Sequence, residues 1–298
     1  MSKLFSNIPK KGRYIFKVEQ YQCNLRKMLR FSFLVNTMLS AADYHSSERG
    51  YGTDYLNSCG KTWVLSRLAV EMARIPSRHE VIAVETWVEK VHPLFTNRNF
   101  RISVDATGEV LGWGRSVWAM IDTTTRHPVN LLEFKDGAIQ EFIVLPDSSE
   151  YIEVPITKPV RIQINTEETS LVREVNTYFS DVDFNGHINS MRYLDHILDL
   201  FTLSWHKENN IQRLDIAYVA EGRPEVPLLI LQSPAKNLYP NVIPCQEATT
   251  SATSAATATA ATSIAPATTD YSFKILQQLP ENQHQTEACR LRLRTIPL

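Results

Sequence analysis

The spacing of apolar residues changes along this chain, and each change predicts an element. Glu80 to Val91 (EVIAVETWVEKV) is dense in β-branched and aromatic residues, the text of a strand. Arg101 to Asp122 predicts two strands around a turn at Thr107-Gly108. Thr62 to Arg74 predicts another, with Val64, Leu68, Val70 and Met72 on one face at even spacing. Before this antiparallel meander, Phe33 to His45 lacks proline and glycine and repeats apolar residues at three and four (Leu34, Met38, Ala41), which predicts a helix.

The text then changes. Leu145 to Pro159 (LPDSSEYIEVPITKP) is polar and proline-rich, as expected where a chain crosses between units. Beyond it, Arg161 to Ser180 reads as extended. Ile188 to Lys207 reads as one helix, with Ile188, Tyr193, Ile197, Leu200 and Phe201 on a stripe. Strand text resumes at Leu214 to Val219, Leu228 to Gln232, Tyr271 to Leu276 and Ala288 to Ile296. Strand, helix and strands have thus recurred, which predicts an α+β protein of two similar units, residues 1–150 and 160–298. From Ala248 to Thr269 every residue except Ile264 and Pro266 is Ala, Ser or Thr, a composition that offers no apolar face to bury and predicts a disordered loop.

A length of 298 residues with 43% apolar content suits two domains. The charges nearly cancel, 31 basic against 32 acidic, so the totals do not suggest a nucleic-acid binder. Four cysteines (Cys23, Cys59, Cys245, Cys289) lie far apart with no Cys-x-x-Cys pair, which removes the usual sequence signal for zinc or dithiol chemistry. Met1 to Arg13 has basic residues without an apolar run behind them, and no stretch approaches the ~20 apolar residues that span a bilayer. The expectation is a cytoplasmic protein with no membrane insertion.

Candidate chemistry concentrates in Ser180 to Tyr193 (SDVDFNGHINSMRY), where Asp183, Asn185 and His187 crowd together as extended text becomes helical. A helix start leaves backbone N–H groups unpartnered and partially positive, so it can stabilise a carbonyl oxygen or an oxyanion. Each residue alone is more commonly a turn or cap residue. Asp181, Asp183, Asn185, Gly186 and Ile188 also match the opening of an EF-hand loop. That loop requires a bidentate Glu at its twelfth position, where this chain has Arg192, and strand-like text precedes it.

SDVDFNGHINSMRYLD resembles the Asp-x-Asn-x-His-x-Asn signature of acyl-acyl carrier protein thioesterases. The first-half segments Gly50-Tyr51-Gly52, Trp63 to Arg67 and Val84 to Val88 resemble that family too, as does Tyr218-Val219-Ala220-Glu221 for its acidic residue. The resemblance implies a double hotdog, two units each with a long helix wrapped by an antiparallel sheet. The second unit would carry the chemistry, and the first would shape an acyl tunnel. It implies hydrolysis of fatty acyl-acyl carrier protein by water, with Asp183, Asn185, His187 and Glu221 in the site and no cofactor or metal. In that reading Glu221 and His187 hold the water, Asp183 is the base, Asn185 orients the thioester, and backbone N–H groups near Gly186 and His187 polarise the carbonyl. Direct attack by either carboxylate is the variant of that reading. Where some plant relatives have Cys after the acidic residue, this chain has Gly222, so no nucleophilic cysteine is expected.

An acyl-coenzyme A thioesterase and a non-catalytic acyl-binding hotdog are the alternatives, and both monomer and homodimer fit. Because carrier proteins are acidic, a basic patch is expected near the tunnel mouth, from Arg78, Lys90, Arg98, Arg101, Arg173 and Arg192.

Overall fold

A computed structural model describes residues 8–134, 139–238, 268–278 and 285–298. The first half runs β1 (Gly12–Lys17), α1 (Phe31–Glu48), α2 (Thr53–Ser58), β2 (Lys61–Met72), β3 (Val81–Val91), β4 (Thr96–Val104) and β5 (Val110–Asp122). The second half runs β6 (Ser170–Val175), α3 (Ser190–Leu198), α4 (Leu203–Glu208), β7 (Asn209–Tyr218), β8 (Leu228–Gln232), β9 (Lys236–Leu238), β10 (Thr268–Gln278) and β11 (Gln285–Pro297).

The described strands form one sheet in the order β1-β3-β4-β5-β2-β7-β11-β10-β8-β6, with β9 paired to β10. Read inward from each edge, both halves follow the same plan. The strand before the main helix lies at the edge, the strand after it lies at the centre, and the remaining three fill the space between. The recurrence expected from the sequence is therefore a recurrence of topology, and the fold is a double hotdog. The halves meet where β2 pairs antiparallel with β7, from Arg67 opposite Ala217 to Glu71 opposite Arg213.

α1 buries Leu34, Val35, Met38, Ala41 and Ala42 against the sheet. It ends where Gly50, at φ 78°, adopts the left-handed conformation that closes a helix, with Tyr51 N–H donating back to Ser46 O at 3.0 Å. α1 matches the expected helix and extends it to 18 residues.

Three expectations are corrected. The even spacing of Val64 with Leu68, Val70 and Met72 does not hold, because β2 bulges: Leu65 faces Trp118 and Arg67 faces Val117, leaving Ser66 unpaired. The extra residue inverts the alternation, so Leu65 joins Leu68, Val70 and Met72 in the core while Val64 turns to the other face. Nor is Ile188 to Lys207 one long helix. α3 spans only 9 residues, and α4 starts afresh with the Thr202 hydroxyl accepting from Trp205 N–H at 3.2 Å. Between them Phe201 stacks on Trp205 at 4.0 Å and sets its edge against Tyr271 and Phe273, a packing that competes with helical continuation. Finally, only Ser170–Val175 of Arg161 to Ser180 is strand. Of the Ala/Ser/Thr-rich segment, residues 248–267 lie outside the described residues, while Thr268 and Thr269 already belong to β10. No helix among the described residues is long and apolar enough to cross a membrane.

Candidate active site

The Asp183 to His187 cluster stands one step ahead of α3, in a tight loop closed by a bridge between Val182 and Ile188. The loop is built by its own polar groups. Asp183 N–H donates to His187 O at 2.8 Å, and Gly186 N–H to Asp183 O at 3.0 Å. One carboxylate oxygen of Asp183, Oδ1, accepts from the backbone N–H of Asn185 at 2.9 Å and of His187 at 3.1 Å. Gly186, at φ 80°, supplies the left-handed residue that the reversal requires. The helix cap is Asn189, whose Oδ1 accepts from Met191 N–H at 2.9 Å.

This geometry corrects the expectation that backbone N–H groups near Gly186 and His187 face the substrate carbonyl. Both are already donated within the loop, and the next one, Ile188 N–H, donates to Gly222 O at 3.0 Å. That last bond does something else: it staples the loop to the segment after β7, which carries Glu221. Val219 N–H and Ala220 N–H both donate to Ala288 O on β11, so the segment leaves the sheet at a fixed point.

Beneath the loop, Asp181 is buried and anchors it. Its carboxylate accepts from Tyr178 N–H at 2.8 Å, Arg192 Nε at 2.8 Å and His196 Nε2 at 3.2 Å. Burial pushes this carboxyl up, but the Arg192 guanidinium, the Tyr178 amide and the His196 ring together hold it below the usual range. Asp181, which heads the EF-hand match, is thus committed to a structural cluster, and Arg192 serves it.

Asp183, Asn185, His187 and Glu221 all line one cleft of about 580 Å³. Its opposite wall comes from the first half: Trp63, Val64 and Leu65 of β2, Trp118 and Ile121 of β5, and Leu39 of α1. His187 Nε2 lies 3.4 Å from Glu221 Oε2, and the Arg126 guanidinium pairs with the other oxygen, Oε1. All four residues singled out from the sequence are therefore brought together, beside an apolar wall.

Arg126 and Tyr193 were not singled out for the site. Arg126 sits in a threonine-rich turn with no chemical signature, and only tertiary structure places it against Glu221. Tyr193 read as one more apolar position of a helix. Its hydroxyl is buried against the Gly222 backbone with no hydrogen bond of good geometry among the described residues, and burial pushes the phenol pKa up. A Cβ on residue 222 would stand 2.1 Å from that oxygen, which gives Gly222 a steric reason. No cysteine among the described residues lines the cleft. Cys289 is buried with its thiol pKa raised by desolvation, Cys23 and Cys59 are half-buried elsewhere, and Cys245 lies outside the described residues.

The basic patch needs correction as well. Arg98 is buried, Arg101 pairs with Glu85, and Arg192 pairs with Asp181 and Asp195, so three of the six named cations are not free surface charges.

Residues 9–134 match the model for the acyl-ACP thioesterase N-terminal domain, ACP being acyl carrier protein, and residues 164–270 match that for the C-terminal domain. The crystal structure of an acyl-ACP thioesterase from Bacteroides thetaiotaomicron superimposes with a TM-score of 0.76 at 31% identity, covering 96% of this chain and 98% of that one. The 12:0-ACP thioesterase from Umbellularia californica shares the fold at a TM-score of 0.71 and 20% identity, covering 100% of this chain and 98% of that one. Among curated proteins, the chloroplastic palmitoyl-acyl carrier protein thioesterase of Gossypium hirsutum is 26% identical over 218 residues, 71% of this chain and 52% of its own length. The chain spans about half the length of the curated relatives it matches.

Proposed function

The chain belongs to the acyl-acyl carrier protein thioesterase family, and on that premise we propose that it hydrolyses fatty acyl-acyl carrier protein to free fatty acid and the carrier's thiol. One observation carries the reading: Asp183, Asn185, His187 and Glu221 converge on a single cleft whose other wall is apolar and comes from the other half of the chain. A thioester needs an activated water at its carbonyl and an apolar place for its acyl tail, and this cleft presents carboxylate and imidazole groups for the first and tryptophan and aliphatic side chains for the second.

Within that reading the roles follow from the contacts. Of the two carboxylates that line the cleft, Asp183 and Glu221, only Glu221 pairs with the His187 imidazole among the described residues, so Glu221 and His187 form the water-activating pair, with Glu221 orienting the ring. The water oxygen bonds to the carbonyl carbon and its proton passes to His187. The tetrahedral centre then collapses with cleavage of the carbon–sulfur bond, and the proton is delivered to the departing sulfur. Asn185, exposed at the cleft, orients the carbonyl through its side-chain amide. Asp183 spends Oδ1 on two backbone amides, which supports a loop-building role rather than the base role expected from the sequence.

The first hotdog, residues 1–150, shapes the acyl site through Trp63 and Trp118, and the second, residues 160–298, presents the polar groups. The proposed partner is acyl carrier protein; Arg78, Lys90 and Arg173 remain as candidate contacts for it.

Replacement of Asp183 by Asn separates the two assignments, because Asn keeps an acceptor for both amides but cannot take a proton. Free-thiol release from acyl-acyl carrier protein should fall less than about 10-fold in Asp183→Asn and at least about 100-fold in His187→Ala. The opposite order would make Asp183 the base.

A further inference from the structure

A turn in the first half of the chain does unusual work for a segment so plain in sequence. After β5 the chain reverses through Thr123, Thr124, Thr125 and Arg126 and returns at His127. The Asp122 carboxylate Oδ1 accepts from Thr124 N–H at 3.0 Å, Thr125 N–H at 2.8 Å and the Thr125 hydroxyl at 3.1 Å. Those backbone bonds hold the Asp122 carboxyl below the usual range. Arg126 N–H donates to Asp122 O at 2.9 Å, Asp122 N–H to His127 O at 3.0 Å, and a bridge between Ile121 and Pro128 closes the base. The turn is thus closed by backbone and side-chain hydrogen bonds although its surface is exposed.

At its end Arg126 has φ 61°, the left-handed conformation in which glycine or asparagine is the usual choice. A residue with a long side chain is strained there. Among the described residues its one ion pair is with Glu221, and the two side chains are 44% and 38% exposed. An exposed ion pair contributes little to stability, too little to offset a left-handed backbone at a residue with a Cβ. Stability therefore does not account for arginine at this position. What the arginine achieves is geometric. Glu221 sits on a short segment just beyond β7, and its carboxylate is held on one oxygen by Arg126 and approached on the other by His187.

We propose that Arg126 is a positioning residue for the hydrolysis, supplied by the first half of the chain to fix the Glu221 carboxylate against His187 in the second. The site is then incomplete in the second half alone. The unit that provides the apolar wall also provides the clamp that sets the orientation of the carboxylate. This inference rests on the assignment of Glu221 to the site made above.

The test compares Arg126→Gly, Arg126→Lys, Glu221→Gln and the double variant Arg126→Gly/Glu221→Gln, in the full chain, by steady-state thiol release and by thermal melting. Glycine suits the left-handed turn, so Arg126→Gly should melt no lower than the parent while kcat falls by about 10-fold or more and KM changes less than about 3-fold. Arg126→Lys, which keeps a cation, should recover part of that loss. Because Arg126 acts through Glu221, the double variant should be no slower than Glu221→Gln alone. Full kcat in Arg126→Gly with an inactive Glu221→Gln overturns the role of Arg126 and leaves the site intact. The role is also overturned by losses that multiply in the double variant, or by a rise in KM at constant kcat, which would make Arg126 a substrate contact. Full activity in Glu221→Gln overturns the site assignment itself.

Discussion

Tyr193 and Gly222 illustrate how a residue choice can be fixed by a neighbour that carries no charge. The tyrosine hydroxyl is buried in α3 with no well-formed hydrogen bond among the described residues, pressed into the space a side chain on residue 222 would occupy. Gly222→Ala places a methyl 2.1 Å from that oxygen and 3.1 Å from Ile188, so either the Tyr193 ring or the Glu221-Gly222 backbone must move. We expect Gly222→Ala to destabilise by about 2 kcal/mol, the usual scale of overpacking, and to slow thiol release with it. Tyr193→Phe on that background should restore much of both, since it removes the atom that the new methyl meets. Melting and thiol release of the single and double variants decide the point, and an unimpaired Gly222→Ala would remove the constraint. Asp183, Asn185 and His187 were legible in the sequence because polar groups are concentrated in one short segment that resembles a known signature, and Glu221 only through the resemblance of Tyr218 to Glu221 to that family's acidic segment. Arg126 and the Tyr193-Gly222 contact were not, because each depends on which segments the fold brings into contact.

Element boundaries failed where local pattern met tertiary packing. The bulge at Ser66 cannot be read from β2, since a strand with one extra residue has the same composition as a regular one, yet it decides that Leu65 rather than Val64 joins the core. The division of the second helix follows from Phe201 packing on β10, a contact from a distant part of the chain. Where a helix carried its own stop, as α1 does with Gly50 just past its end, the helix was legible in the sequence, although it runs two residues earlier and three later than the apolar pattern marked. The loop ahead of α3 depends on Asp181, whose carboxylate is buried and serves Tyr178, Arg192 and His196 together. Asp181→Ala would leave the buried His196 imidazole and the Tyr178 amide without their acceptor and Arg192 with Asp195 alone among the described residues, at a cost of about 3 kcal/mol. The pH dependence has a definite sign. The folded pKa of Asp181 is lowered, so its contribution is complete above the ordinary 3.8 and is lost as pH falls through the depressed folded value. Melting temperatures of parent and Asp181→Ala should therefore converge on acidification below about pH 4. A gap that persists undiminished in acid would show that the carboxylate charge is not what stabilises the loop.

At the scale of the whole chain, two units of the same topology share one sheet through the pairing of β2 with β7. Arg213 reinforces that joint, bonding Glu71 on β2 while it pairs with Asp215 on its own strand. The units have diverged in what they offer the cleft. The first gives tryptophans and a cation, the second gives the loop and the acidic residue. The sequence hinted at this division, because the polar cluster occurs only once although the pattern of elements occurs twice. It could not reveal that the cleft lies between the units. The central claim is that this cleft hydrolyses acyl-acyl carrier protein with His187 and Glu221 as the water-activating pair. The most direct measurement is free-thiol release from acyl-acyl carrier protein by the parent chain and by Glu221→Gln at matched thermal stability. The parent should turn over, and Glu221→Gln should be slower by at least about 100-fold. Equal release by the two proteins, or no release by the parent, would contradict the account.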